Sequence, residues 1–236
     1  MHNQSTAFTF NAIGVIKSPF KEKFGIPRQP GLTPDIISSI HLYKDYNSAQ
    51  TLDALKSTSH LWILFVFSES YDFGWKPKVR PPRLGGNKKV GVFATRSPYR
   101  PNPIGISAVR LTDIRQEEGA FIIDVAGADL MHNTPILDIK PYIPYSDNIV
   151  DATNSLAQAF TSLSQTVFFS AQAQQVCEQF LLQHHESLST QIEQVLRCDP
   201  RPAYQKNQQR EYGLNLHNLN IRWQISDHRI DVISIH

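Results

Sequence analysis

The sequence has little cysteine, no recognisable metal-ligand spacing and no long apolar run, and each lack removes a class of protein. Its two cysteines, Cys177 and Cys198, cannot build a disulfide framework. Neither they nor the nine histidines repeat a spacing such as C-x-x-C or H-E-x-x-H, so a structural metal is not expected. The longest apolar stretch, Leu61 to Phe67, is far too short to span a bilayer. The opening MHNQSTAFTFNAIG lacks a basic start followed by an apolar run, which makes the cytoplasm the simplest location. There is no G-x-G-x-x-G, P-loop or nucleophilic triad, and Gly85-Gly86 is not followed by a helix, so a Rossmann-type cofactor site is excluded.

What remains is an ordinary globular composition with an unusual distribution of charge. With 236 residues, 41% hydrophobic and 19% charged, the chain can bury a real core and is expected to form one domain with a sizeable appendage or two unequal domains. The formal charge is only +2, yet the window from Lys76 to Arg110 carries nine Lys and Arg and no acid, leaving the rest of the chain at −7. Such asymmetry is the footprint of a surface that meets phosphates, although a solvated loop paired with acids elsewhere would look similar. Six of the 15 prolines fall in the same window. Proline removes backbone freedom before a ligand arrives, so a stiff basic loop loses less entropy on binding than a flexible one.

The first two thirds of the chain read as β. Strands are expected at Phe8–Ile16, His60–Ser68, Val90–Thr95, Ile106–Ile114, with one break in its alternation, Ala120–Ala126 and Ile136–Ile139, and a single helix at Ser48–Lys56. Many short strands at hairpin spacing argue for an antiparallel sheet closed on itself, since closure hides both edges. The expected fold class is therefore mainly β, a small antiparallel β-barrel over 1–150 followed by a small α+β domain over 151–236. In that second part, helices are expected at Ala171–Leu182 and Ser189–Leu196, and a terminal hairpin at Leu219–Ile225 and Ile230–Ile235. Val167–Phe169 is a possible third strand, and its thin core should need the barrel to pack against.

Four polar clusters interrupt the apolar pattern: Lys21–Gly31, the strand exit at Phe67-Ser68, Gly91–Gly105 and Asp129–Tyr142. Arg28, Arg96 and Arg100 suit bidentate binding of a carboxylate or phosphate. Asp138 and Lys140 share a strand face, which also fits a plain surface salt bridge. Trp75 and Tyr99 lie among the cations, where they could stack bases or plug turns. Read from residues alone, the chain is a β-barrel with a rigid basic face that binds RNA.

The motifs GVFATRSPYRPNPIG, HLWILFVF, PRQPG, RPPRLGG and DIKPYIP, in that relation to one another, closely resemble the TsaA/TrmO family. These are tRNA methyltransferases acting on threonylcarbamoyladenosine at position 37, and DPRPAY near residue 200 resembles the C-terminal domain of bacterial members. The resemblance implies a non-Rossmann barrel that binds S-adenosylmethionine, works as a homodimer on the tRNA anticodon arm, and methylates the N6 nitrogen. It points to Pro27, Arg28, Gln29, Phe67, Ser68, Arg96, Ile106, Asp129, Leu130 and Thr134 for the cofactor. On the basic face, Lys76, Lys78, Arg83, Lys88, Lys89 and Arg100 are assigned to phosphates, with Arg201, Tyr204, Lys206 and Arg210 as a second patch.

The acceptor nitrogen is poorly basic and must shed a proton, for which Asp138 and Tyr142 are the candidates, although alignment of donor and acceptor alone can suffice. One departure from the family is visible: His132-Asn133 stands where members commonly carry Asp-Gly before Thr-Pro. Asn tolerates the positive φ that such a turn needs. An RNA-binding barrel without catalysis, or a methyltransferase with a non-RNA acceptor, are the alternatives.

Overall fold

The computed structural model describes residues 6–81, 88–157, 160–201 and 210–236. Among them are twelve β-strands and three α-helices. Six strands form an antiparallel ring in which each is paired on both sides: β1 (Gly14–Lys17), β2 (Ile37–Leu42), β7 (Ala120–Ala126), β6 (Ile104–Glu117), β3 (His60–Val66), β8 (Thr134–Pro141) and back to β1. Inside the ring, Ile16, Ile40, Leu61, Ile63, Val109, Ile123, Val125 and Ile136 form one core. A two-stranded ribbon, β4 (Lys78–Val79) with β5 (Val90–Gly91), stands on the long connection between β3 and β6.

After a short helix, α1 (Pro144–Asp147), the chain builds a second body. A sheet in the order β10 (Tyr212–Leu216), β11 (Leu219–Ile225), β12 (Arg229–Ile235), β9 (Thr166–Phe169) packs with α2 (Ala171–His184) and α3 (Leu188–Arg197). Ser170 and Ser187 cap the two helices, their hydroxyls accepting from the backbone N–H of Ala173 and Thr190. The β10–β11 turn places His217 and Asn218 at φ 53° and 66°, the geometry that matches hairpin twist. This body is not thin, as the sequence suggests. Its core, built around fully buried Trp223, is larger than that of the ring, and it takes in Phe20 and Ile36 from the β1–β2 connection.

Several local expectations need correction. The first strand begins at Gly14, leaving Phe8 and Phe10 exposed. Where β1 pairs with β2 the backbones approach so closely that a Cβ on Gly14 would meet the His41 carbonyl. Val90–Thr95 stops as a strand after Gly91 and turns as a 3₁₀ segment, Val92–Ala94; the carbonyls of Val92 and of Thr95, the residue after it, accept from the Arg100 guanidinium. Ser48–Lys56 is a series of turns rather than a helix: Ala54 sits at φ 59°, and the Thr51 hydroxyl donates to the Tyr46 and Ser48 carbonyls. The sequence reading also misses β2 and β10. The break in β6 lies between Leu111 and Asp113, so Ser107 and Val109 face inward and Ile106 faces out.

Candidate functional site

Because neighbouring strands of the ring run in opposite directions, the end of β1, β3 and β7 and the start of β2, β6 and β8 lie together. Three connections therefore meet at one end: 18–36, 67–103 and 127–133. Every cofactor candidate lies in these connections or in the first residues of the strands leaving them. The connections are tied to one another: Gly31 N–H donates to the Gly127 carbonyl at 2.8 Å, and the Arg96 guanidinium donates to Gln29 Oε1 at 2.7 Å. Gly127 has φ 75°, and a Cβ on it would press on the Gly31 backbone at 3.1 Å, so the close approach depends on glycine.

This end is also where the interior turns polar. Among the described residues, five of the six buried polar side chains, Ser18, Thr33, Ser38, Ser107 and Thr134, belong to it. The Ser107 hydroxyl donates to Asp129 Oδ1 at 2.5 Å. Burial pushes the Asp129 carboxyl up to about 6, against the opposing pull of that hydroxyl, a backbone N–H and the Arg96 guanidinium. Thr33 Oγ1 and Ser38 Oγ are buried with no hydrogen-bond partner among the described residues. Ser38 shares the inward face of β2 with Ile40, so its hydroxyl is turned toward the ring interior. A buried hydroxyl without a partner costs desolvation energy unless a water or ligand supplies the bond.

The remaining cofactor candidates divide by what their side chains already do. Pro27 and Arg28 line a cavity of about 170 Å³ together with Lys23–Ile26 and Cys198–Pro200 of the second body. Phe67 packs edge-on against Phe65 at 5.0 Å, and Ser68 is exposed at the start of a 3₁₀ segment. Leu130 is buried in the ring core, and the Thr134 hydroxyl donates to the Met131 carbonyl, so both shape the loop from inside. Ile106 is exposed on the outer face, leaving only its backbone directed along the site. The unusual His132-Asn133 is accommodated: Asn133 takes φ 63° and accepts from Lys17 Nζ at 2.6 Å. His132 is not a free surface residue; its Nδ1 lies 2.8 Å from Lys21 Nζ, and burial followed by that lysine holds its pKa below the ordinary value.

Asp138 and Tyr142 are not brought to this end. Asp138 pairs with Lys140 at 2.8 Å on the exposed outer face of β8. Tyr142 follows β8 at the opposite end of the ring, with its ring 5.5 Å from Trp62 and 6.4 Å from His60. At about 3.3 Å per strand residue, the length of β8 separates Tyr142 from the cluster around Asp129. Ser107, Ser38 and Thr33, which the sequence reading passes over, sit in their place. For Ser107 the available signal is its parity with Val109 and Leu111 on β6, whereas Ser38 stands where an apolar residue would have marked the inward face of β2.

The basic candidates divide in the same way. Lys76, Lys78, Lys88 and Lys89 are exposed on and beside the β4–β5 ribbon, with Lys76 Nζ 4.3 Å above the Tyr99 ring. Arg100 is committed to the Val92 and Thr95 carbonyls. Arg201 is held in a two-pronged pair by Asp199 at 2.7 and 2.9 Å, its side chain largely buried. In both, the guanidinium is engaged within the fold. Arg210 is exposed beside Tyr212. Arg83, Tyr204 and Lys206 lie outside the described residues. Among the described residues, no helix is long and apolar enough to cross a membrane.

Comparison with known proteins bears directly on this ring end. The tRNA-methyltransferase O N-terminal domain matches residues 15–148, and the TrmO C-terminal domain matches residues 163–236. A tRNA (adenine(37)-N6)-methyltransferase of Escherichia coli is 43% identical over 234 residues, covering 98% of both chains. A protein of the same name from Eikenella corrodens is 43% identical over 72% of this chain and 92% of its own. The crystal structure of TrmO from Pseudomonas aeruginosa superposes with a TM-score of 0.81 at 34% identity, covering 98% of this chain and 100% of that one. With both halves of the chain matched in order, and with relatives of the same length and shape, the protein belongs to the tRNA-methyltransferase O family.

Proposed function

We propose that this chain transfers a methyl group from S-adenosylmethionine to the N6 nitrogen of threonylcarbamoyladenosine at position 37 of tRNA. The observation that carries the reading is the 43% identity, over nearly the full length of both chains, to a tRNA (adenine(37)-N6)-methyltransferase. The convergence of the three tied connections at one end of the ring supports it independently. In this reading the ring is the barrel of a methyltransferase that needs no Rossmann sheet. Residues 1–150 carry the cofactor and the chemistry, and 151–236 assists with tRNA.

The ring end fits the donor chemically: it offers a guanidinium, a carboxylate and two buried hydroxyls without partners, against a ligand bearing a carboxylate, an ammonium and a ribose. Arg96 would exchange Gln29 Oε1 for the methionine carboxylate, a charge-assisted bond in place of a neutral one. Asp129, oriented by Ser107, would take a cationic or hydroxyl group, and Ser38 and Thr33 would gain partners they lack. Pro27, Phe67, Ile106, Leu130 and Thr134 would shape the pocket through packing and backbone contacts. When bound, the donor supplies an already activated methyl, so the protein has chiefly to align the two reactants and keep water out. Asp138 and Tyr142 of the same chain are not assigned the proton, because neither reaches this end.

Lys76, Lys78, Lys88, Lys89 and Arg210 are the phosphate contacts of this reading, with the anticodon arm as the element bound. A homodimer is supported by the apolar outer face of β6, where Ile104 and Ile106 are exposed. The cytoplasm is the expected location. The test is transfer of labelled methyl to two tRNA preparations, one carrying threonylcarbamoyladenosine and one from cells unable to make it. Label is expected in the first alone. Label in both would place the acceptor elsewhere, and label in neither, with donor binding confirmed by calorimetry, would refute the proposal.

A further inference from the structure

The connection between β3 and β6 carries a group of large rings that neither core uses. Tyr71, Phe73, Trp75 and Phe93 are 65%, 65%, 56% and 76% exposed, on a segment that leaves the same end of the ring as the site. Tyr99 is different: it is half-buried beneath Lys76 and holds the turn, the packing role that an aromatic in a loop ordinarily has. Trp75 and Phe93 are brought near one another along the chain by one backbone bond, in which Val92 N–H donates to the Pro77 carbonyl at 3.1 Å. Exposed apolar rings in such number mark an interaction surface, because leaving them in water forgoes the stabilisation of burial.

The chemistry around the rings selects the partner. Lys76, Lys78, Arg80, Lys88 and Lys89 are exposed among them, Lys23 Nζ lies 5.8 Å from the Phe73 ring, and the Arg100 guanidinium lies 5.8 Å from that of Phe93. A second copy of the chain meeting this patch about a two-fold axis would set these cations against themselves. A double helix would satisfy the cations but not the rings, since paired bases hide their faces in the stack. Unpaired nucleotides satisfy both, presenting phosphates to lysine and open base faces to flat side chains.

From this we infer that the β3–β6 connection is a stacking platform for the unpaired nucleotides that flank the target adenosine, with Phe73, Trp75 and Phe93 taking bases while the neighbouring lysines take phosphates. The inference rests on the tRNA reading above and deepens it: the surface reads single-strandedness, and so favours a base that can be drawn out of its loop toward the ring end.

The experiment compares binding of a single-stranded RNA and of a duplex with the same number of phosphates, using the full-length protein. Trp75→Leu, Phe73→Leu and Phe93→Leu keep apolar bulk but remove the flat face. Each is expected to weaken single-strand binding roughly five- to a hundredfold, the range for one lost stack, and to leave duplex binding and the salt dependence unchanged. Trp75→Phe should restore most of the affinity. Trp75 fluorescence should be quenched on adding the single strand, and the quench should vanish in Trp75→Phe, which keeps Trp62 and Trp223. Equal losses on single strand and duplex would overturn the inference. So would leucine variants that bind RNA normally but lose mass in sedimentation, since the rings would then join copies of the chain. Neutral leucine variants in a protein that still methylates tRNA would sink the platform alone; absence of tRNA binding and of methyl transfer would sink the parent reading with it.

Discussion

Asp129 is a group whose service to a ligand should cost the fold, and the cost can be read against pH. Its carboxyl rises from 3.8 to about 6 in the folded protein, burial outweighing the Ser107 hydroxyl, the backbone N–H and Arg96. At about 1.4 kcal/mol for each pH unit of displacement, the ionised carboxylate opposes folding by about 3 kcal/mol once both states are deprotonated. Because the folded state holds the proton more tightly, this group's contribution is fully present below about pH 4. It declines as pH rises through about 6 and is flat above that. Asp129→Asn keeps an oxygen for Ser107 and removes the charge. Urea unfolding measured from pH 4 to pH 8 should show variant and wild type close together at the acid end, with the variant more stable by as much as about 3 kcal/mol at the neutral end. Calorimetry at pH 7.5 should show the reverse for function, with S-adenosylmethionine bound more weakly by the variant. Stability curves that run parallel across the whole range would refute the reasoning, because the carboxyl would then titrate alike in both states.

Other perturbations separate groups that compete for the same role. A Cβ at Gly105 would collide with the outer edge of the Phe65 ring, so Gly105→Ala should destabilise the six-stranded ring by about 1–3 kcal/mol in urea unfolding, with Phe65→Leu restoring part of the loss. If Gly105→Ala melts like wild type, the packing at the start of β6 is looser than described. Lys89→Ala should reduce the slope of log affinity for tRNA against log salt by about 0.7–0.9, the value for one phosphate contact. Arg100→Ala should instead lower the melting temperature by undoing the turn at Val92–Ala94; a slope change like that of Lys89→Ala would return it to the phosphate face. Asp138→Asn removes an exposed pair with Lys140 and should change stability by less than about 0.5 kcal/mol, with turnover unaffected. A fall in kcat at unchanged KM would bring Asp138 back into the chemistry.

Much of the fold could be read from period-two alternation, and the failures have local causes. His60–Val66 and Ala120–Ala126 announce themselves because alternate residues fill the ring core. β2, ISSIHL, does not: its inward Ser38 replaces an apolar residue where the interior becomes polar, so the alternation fades near the site. Phe8 and Phe10 alternate correctly and are no strand, because alternation says nothing about whether a partner edge is free. In β6 the bulge between Leu111 and Asp113 moves the phase, so that Ser107 and Val109 face inward before it and Ile114 after it. A bulge shifts every later side chain to the other face, which a pattern of apolar residues detects only afterwards.

The family motifs name residues that the fold gathers at one end of the ring, while the chemistry gathered there is not written in any local spacing. Gln29, Arg96 and Asp129 are far apart in sequence and meet because alternate strand ends of a closed antiparallel ring fall on one side. That fact belongs to topology, so no local spacing records it. Asp138 and Tyr142 answer to the need for a proton acceptor, which specifies a residue type and not a place in the fold. Along a strand, however, each residue adds about 3.3 Å, so Thr134 and Tyr142 mark opposite ends of the ring while Asp138 faces outward beside Lys140. The same rule returns Ser107 to the site, since it sits at the start of β6 where β7 ends and Asp129 begins the next connection. Positions at corresponding strand ends, rather than residues near in sequence, are therefore where further contributors to this chemistry should be sought. By that criterion Thr33 and Ser38, buried and without partners among the described residues, come before any residue of the outer face.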